Sequence, residues 1–282
     1  MRIPVILLSL LTVPYAFAAD PLTAAQAIER IKSNTGMPWR ADTVDTIKAG
    51  SPDTPLTGIA TTMFATMDVL QRAAASGKNL IIAHEPTFYN HLDKTADLAS
   101  DPVQMAKLEF IQKHGLVVMR FHDYWHARKP DGIFEGMTKA LGWEKFRNAR
   151  DRGTLTIPET TLKNLASEMQ KRMQIQTMRV VGDPNLKVSH VVLMPGAGGS
   201  PQQIKALERD DVELLVIGET REWETVEYVR DAVTQGRRKG MIIMGHAVSE
   251  EAGMEECARW LKTFIPEVPV EFIAAKEPFW RP

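Results

Sequence analysis

Cysteine is almost absent: Cys257 is the sole one in 282 residues, so no intrachain disulfide can form in any redox compartment. It falls with Met254, Ala258 and Leu261 in a helical pattern, where a buried apolar role is expected rather than catalysis. Clustered positive charge is also missing. The formal net charge is -1, and no basic stripe or basic-aromatic module runs along the chain. That excludes nucleic acid as a primary partner, because phosphate-backbone binding needs grouped Lys and Arg. The local cluster Arg237-Arg238-Lys239 reads as a solvated turn before a strand. Without disulfides, stability must come from packing, subunit contacts or bound metal.

Long apolar runs are lacking everywhere except at the start. Arg2 provides a short positive region, Ile3 to Pro14 an apolar stretch too short to span a bilayer comfortably, and Ala16-Phe17-Ala18 a small-x-small cleavage site. Residues 1–18 are therefore expected to be a signal peptide, with the mature chain starting at Ala19. The product is expected in the periplasm or secreted, with no membrane association after cleavage. The remaining 264 residues suffice for one large or two modest domains.

Short apolar strands alternate with helical patterns of 10 to 15 residues along the mature chain, which favours an α/β class. The spacing predicts helices over Thr23–Ser33, Met67–Ala75, Pro102–Lys113 and Gly132–Leu141, the last closed by Gly142. Val103, Ala106, Leu108 and Ile111 are expected to face a core. Further on, Pro158 is read as initiating a helix from about Thr160 to Met173, and a final helix is expected from about Glu250 to Phe264. The polar, Pro130-containing segment Arg128–Asp131 is the best linker candidate. The expected architecture is two lobes of mixed sheet flanked by helices, residues 19–128 and 129–282. The metal site lies between them, and the C-terminal ligand motif returns to it.

Four apolar runs end in histidine and carboxylate. They are Leu80–Ala83 before His84-Glu85, Leu116–Met119 before His122 and His126, Leu214–Ile217 before Gly218-Glu219, and Met241–Met244 before His246 and Glu250. Open α/β sheets build sites from polar groups delivered at the carboxyl ends of buried strands. His122 and His126 lie four apart, as do His246 and Glu250, a separation that places side chains on one helical face. His84, Glu85, His126, His246 and Glu250 thus make a plausible complement for one ion or for two sharing a site. Three imidazoles with two carboxylates suit zinc, manganese, iron or cobalt better than calcium. His91, His114 and His190 lack that context and read as surface or packing residues. The stretch Pro195-Gly196-Ala197-Gly198-Gly199-Ser200-Pro201 follows a strand and opens a helix. Ser200 can cap there, and free amides could hold a phosphate or carboxylate, or the segment is a bare tight turn.

These motifs, in this order, resemble those of the dinuclear-metal, hexamer-forming NIF-three-like proteins, often labelled GTP cyclohydrolase I type 2. The resemblance is carried by Ile81-Ile82-Ala83-His84-Glu85-Pro86, His122 through His126, Pro195 to Gly199, Ile217-Gly218-Glu219 and Gly245-His246 with Glu250. It covers nearly all the mature chain. It implies two divalent metal ions on His84, Glu85, His126, His246 and Glu250, and a homo-oligomer, possibly a hexamer. The chain departs from the pattern twice: Glu85 stands where the family has a second histidine, and His126 where it has an aspartate. Imidazole and carboxylate are exchanged between positions, so the donor inventory is unchanged. Phe64 and Glu222-Trp223-Glu224 also depart from the usual residues.

A metal-dependent hydrolase acting on a small polar or phosphorylated compound is the expected activity. Glu219 is expected as an acid/base or as a support for the ligands, His122 as such a support or a substrate contact, and Tyr124 or Trp125 as a pocket wall. Export argues against GTP as the substrate, and the cyclohydrolase label is inherited at the level of fold. The alternative is a non-catalytic metal-binding or scaffold protein forming an oligomeric ring, and a third reading is an interaction module using Trp223 or Trp280.

Overall fold

The computed structural model describes residues 20–151 and 153–282, so the expected signal peptide lies outside the described residues. The apolar runs Ile59–Thr62 (β2), Leu80–Ala83 (β3) and Val117–Arg120 (β4) are buried along their whole length and pair in parallel. Continuous burial is what strands covered on both faces require. Ile47–Ala49 (β1) joins antiparallel at one edge, and Val270–Phe272 (β10), from the far end of the chain, joins parallel beside β2. The order is β1-β4-β3-β2-β10. A second sheet takes Thr154–Thr161 (β5), Arg179–Val181 (β6), Lys187–Met194 (β7), Leu214–Ile217 (β8) and Gly240–Ile243 (β9) in the order β5-β7-β8-β9-β6. Its three central strands are parallel and its two edges antiparallel, so both sheets are mixed.

Nine helices flank these sheets among the described residues: Ala24–Asn34 (α1), Met67–Ala75 (α2), Pro102–Lys113 (α3), Asp123–Ala127 (α4), Gly132–Leu141 (α5), Leu162–Met173 (α6), Ser200–Glu208 (α7), Glu227–Thr234 (α8) and His246–Leu261 (α9). None is long and apolar enough to cross a membrane. The connecting helix α9 decides the site. It leaves β9 of the second sheet, packs along α5, and lies on β2 and β10 of the first. Thr61 Oγ1 donates to the Met254 carbonyl at 2.7 Å, and Trp125 Nε1 to the Gly253 carbonyl at 3.2 Å, fastening α9 to the first lobe.

Several local expectations are corrected. Pro158 lies inside β5, an edge strand, where a missing N–H is tolerated beside the register shift between Thr156 and Thr160. Helix α6 starts instead at Leu162, with the Thr161 hydroxyl accepting from Asn164 N at 3.2 Å. On α3, Val103 is exposed while Gln104 and Lys107 are buried. Their donors are used internally, Gln104 Nε2 on the Thr95 and Leu98 carbonyls and the Lys107 ammonium on that of Thr87, which offsets part of the cost of burial. Lys239 is likewise buried, its ammonium donating to the Arg209 and Val212 carbonyls, while Arg237 and Arg238 stay in solvent. The final helix begins at His246 rather than near Glu250.

Candidate metal centre

Strands β3 and β4 end side by side, and each chain turns at once into polar residues. His84 follows β3 with its ring fully buried. Its Nδ1 faces the Phe121 carbonyl at 3.2 Å, which fixes the tautomer and leaves Nε2 free to accept. After β4 the chain enters α4, whose first amides are held by a residue from far upstream. Asp45 accepts from His122 N at 2.7 Å, Asp123 N at 3.0 Å and Tyr124 N at 2.8 Å. That anchor sets His122 and His126 against His84. The ring centroids stand 4.7 Å apart for His84–His122, 5.0 Å for His84–His126 and 4.9 Å for His122–His126.

The second lobe supplies His246 and Glu250 from the first two turns of α9. Glu250 Oε1 lies 3.6 Å from His126 Nε2, and its Oε2 lies 3.7 Å from His84 Nε2 and 3.1 Å from His246 Nε2. Glu85 Oε1 lies 3.2 Å from His246 Nε2 and 3.8 Å from His122 Nε2. Turning after the strand, Glu85 shares the site with His84 instead of pointing away. Two groups place their donor atoms within 4.8 Å of one another: His84 with His122 and His126, and His84 with Glu85 and Glu250.

Both His84 Nε2 and Glu250 Oε2 are buried without a hydrogen-bond partner. Leaving such atoms orphaned is costly unless something else binds them. With imidazole nitrogens and carboxylate oxygens converging, the residues fit a borderline divalent cation, and the His/Glu group could hold a metal ion.

Electrostatics agree. Burial pulls the His84 imidazole down to about 4, so it is a neutral donor. Burial opposes charge on His126 as well, but Asp131 and Glu250 outweigh it and push that imidazole up to about 10. For His246 burial is again outweighed, by Glu219, Glu250 and Glu85, which push it up to about 12. Burial alone would raise Glu250, yet His126 and His246 hold it well below the usual carboxylate range. The carboxylates therefore attract positive charge strongly, and a cation entering would displace protons from imidazole.

Each ring is also held from behind. Asp131 Oδ2 stands 3.1 Å from His126 Nδ1, Asp123 Oδ1 3.0 Å from His122 Nδ1, and Glu219 Oε2 3.3 Å from His246 Nδ1. Glu219 is half exposed beneath a cavity of about 650 Å³, bounded by Phe64, Gly199, Arg221, His246 and Phe279. A second cleft of about 830 Å³ opens on the His126 side, against Lys129, Phe134, Arg147 and Pro195.

The structure thus brings His84, Glu85, His122, His126, His246 and Glu250 together, with Glu219 behind His246. Neither Tyr124 nor Trp125 lines the two cavities beside the centre: Tyr124 stacks on Trp39 at 3.9 Å and borders a separate recess with Met37 and Pro38, and Trp125 is buried against α9. The glycine-rich turn does not offer free amides at Gly196 and Gly199, which donate to Ser249 Oγ and the Ala197 carbonyl. Ser200 is the first residue of α7 and makes no capping bond. His91 and His114 are exposed, and His190 sits beside Ser189. Glu277 is tied within its own chain, accepting from Gln176 N at 2.6 Å and Thr177 N at 2.9 Å, which leads Phe279 to the cavity rim. Sequence reading missed Asp45, Asp93, Arg120, Asp123 and Asp131. Only Asp123 and Asp131 carried a signal, standing next to or between the histidines and Pro130.

Residues 26–278 match the family Duf34/NIF3 (NGG1p interacting factor 3). The chain belongs to this family. Among curated relatives, a Clostridium acetobutylicum protein named GTP cyclohydrolase 1 type 2 homolog is 24% identical over 196 residues, covering 66% of this chain and 69% of that protein. A Clostridium perfringens protein of the same name is 21% identical over 245 residues, covering 82% and 87%. Among solved structures, a Staphylococcus aureus hypothetical protein superposes with TM-score 0.73 at 16% identity, covering 93% of this chain and 100% of that one. A Bacillus cereus protein described as related to NIF3 gives 0.71 at 14%, covering 92% and 99%. At those identities the structural likeness establishes the Duf34/NIF3 fold and leaves the chemistry to the site.

Proposed function

We propose that this protein is a metal-dependent hydrolase acting on a small polar or phosphorylated compound through a dinuclear centre. The observation that carries the reading is the splitting of Glu250: one carboxylate oxygen faces His126, the other faces His84 and His246. His126 and Glu250 would hold one divalent ion, zinc, manganese or iron, and His84, Glu85, His246 and Glu250 a second. When bound, such ions supply Lewis acidity and lower the pKa of water at neutral pH.

The remaining work falls to the chain's own groups. Glu219, through His246 Nδ1, keeps Nε2 turned toward the carboxylates, and its exposed position lets it take or return a proton at the cavity floor. His122 stands beside Glu85 with a quarter of its side chain exposed, where it can contact a bound compound. Arg221, paired with Glu224 at 3.0 Å, stands at the cavity rim where it could turn to an anionic group, and Phe64 and Phe279 supply apolar wall. The name of the clostridial relatives supports chemistry of this general kind. Export in the periplasm or beyond, and a homo-oligomer, possibly a hexamer, complete the proposal, and export disfavours GTP as substrate.

Metal analysis of the purified mature chain tests the centre: His246→Ala and Glu250→Gln should both lose bound metal. Wild-type stoichiometry in both variants refutes it. A screen of phosphate esters, cyclic amides and nucleotides then tests the activity, expected to vanish with chelator and return with metal. Tight occupancy without turnover on any of these would favour the scaffold alternative.

A further inference from the structure

Arg120, the last residue of β4, is fully buried, and its guanidinium reaches four groups. Nη2 donates to Glu85 Oε2 at 3.2 Å, Nε to the His84 carbonyl at 3.2 Å and Nη1 to the His91 carbonyl, with Asp93 Oδ2 3.8 Å away. Asp93 is itself fixed, its Oδ1 accepting from Thr87 N at 2.6 Å and Phe88 N at 2.8 Å in a left-handed backbone conformation of φ 56°. Its Oδ2 makes no hydrogen bond but lies 3.5 Å from Lys48 Nζ, between the two cations. Positive and negative side chains therefore alternate from β1 into the site: Lys48, Asp93, Arg120, Glu85.

We infer that Arg120 is the positioning residue that makes Glu85 usable as a metal ligand, an inference that rests on the metal-centre reading above. A buried carboxylate needs a partner. Arg120 occupies Oε2 and leaves Oε1 alone to face His246 and His122. A planar guanidinium holds a carboxylate and two carbonyls in a fixed fork, spread over three nitrogens, which a single ammonium nitrogen does not reproduce. Glu85 and Arg120 together carry no net charge, as a neutral imidazole at position 85 would by itself. Position 85 is thus coupled to position 120: a histidine at 85 needs no counter-ion, and a glutamate there does.

The test uses the mature chain stripped of metal, titrated with Zn²⁺ against a chromophoric chelator and, separately, loaded with Co²⁺ for its visible spectrum. Arg120→Met and Glu85→His should each weaken one equivalent of Zn²⁺ by about 10- to 100-fold, as lost supports of metal ligands do. The double variant should recover most of that loss and shift the Co²⁺ spectrum as nitrogen replaces oxygen. Losses that multiply in the double variant, or wild-type affinity in Arg120→Met or Glu85→His, overturn the assignment. Should Arg120→Met fail to fold, the comparison is Glu85→His with and without it: recovered affinity supports the assignment, and further loss or no folding overturns it. A wild-type chain that takes up no Zn²⁺ overturns the metal-centre reading and this one together, whereas wild-type binding with multiplying losses removes the Arg120 assignment alone.

Discussion

Glu250 is seated against the backbone of Gly196: a Cβ built on that glycine would come within 2.5 Å of Glu250 Oε1. The glycine-rich turn, whose Gly196 N donates to Ser249 Oγ at 2.9 Å, is therefore the cradle of the central carboxylate. Gly196→Ala should evict that carboxylate and also strain a backbone at φ 69°, at a cost of about 1–2 kcal/mol. The expected result is a folded protein, by circular dichroism, with little or no bound metal. Full metal content in the variant would show that Glu250 is not needed where it sits.

Glu219 holds His246 from behind while more than half of its own side chain remains in solvent. Glu219→Ala should leave the protein folded and lower its stability by about 1 kcal/mol or less, as for a solvent-exposed ion-pair partner. Metal affinity should fall by about tenfold or more, since the imidazole loses its orienting partner. Unchanged affinity in a chelator competition would remove Glu219 from the centre.

Helix α9 packs closely along α5 because the two meet at glycines. A Cβ on Gly253 would fall 2.5 Å from Ile133 Cα, and one on Gly136 2.3 Å from the Ala252 carbonyl oxygen. Helix propensity alone says that Gly253→Ala gains about 1 kcal/mol, whereas overpacking costs about 1–3 kcal/mol. Backbone cannot step aside as a flexible side chain does, so packing should win. A lower melting temperature together with weaker metal binding is expected; a rise in melting temperature would contradict the packing described.

Lys107 is buried beneath the His84-Glu85 turn, its ammonium 2.6 Å from the Thr87 carbonyl and 5.1 Å from the Tyr89 ring centre. Burial lowers it to about 8, with Asp93 opposing. Below that pH both folded and unfolded chains carry the proton, and the buried charge costs its full amount. Between pH 8 and the ordinary value of 10.5 the folded chain gives up its proton first, so stability rises with pH in this window. Relative to Lys107→Met, the wild type should gain on the order of 2–3 kcal/mol from pH 7 to pH 10, at about 1.4 kcal/mol per tenfold change in proton affinity. Parallel denaturation curves for the two proteins across that range would contradict the burial.

Much of this was legible from local pattern. Four-residue apolar runs could be read as buried strands, and β3, β4, β8 and β9 are buried at every position. The histidine and glutamate residues that gather were visible because they follow those strands. Pro158 misled because a proline that cannot join a central ladder is harmless at a sheet edge, and edge position is not written locally. Val103 misled because α3 buries polar side chains whose partners lie on other segments, the Gln104 amide on Thr95 and Leu98 and the Lys107 ammonium on Thr87.

By itself, the sequence determined which elements form and which chemistry waits at their ends, because side-chain periodicity and turn residues act over a few positions. Only the tertiary structure decided that α9 crosses from one sheet to the other and sets Glu250 between His84, His126 and His246. It also decided that Asp45, Asp93 and Arg120 become the supports of the site. The physical reason is reach. Hydrogen bonds and ion pairs act over about 3–4 Å, so residues 166 positions apart in sequence, as His84 and Glu250 are, interact only after packing has closed the chain between them.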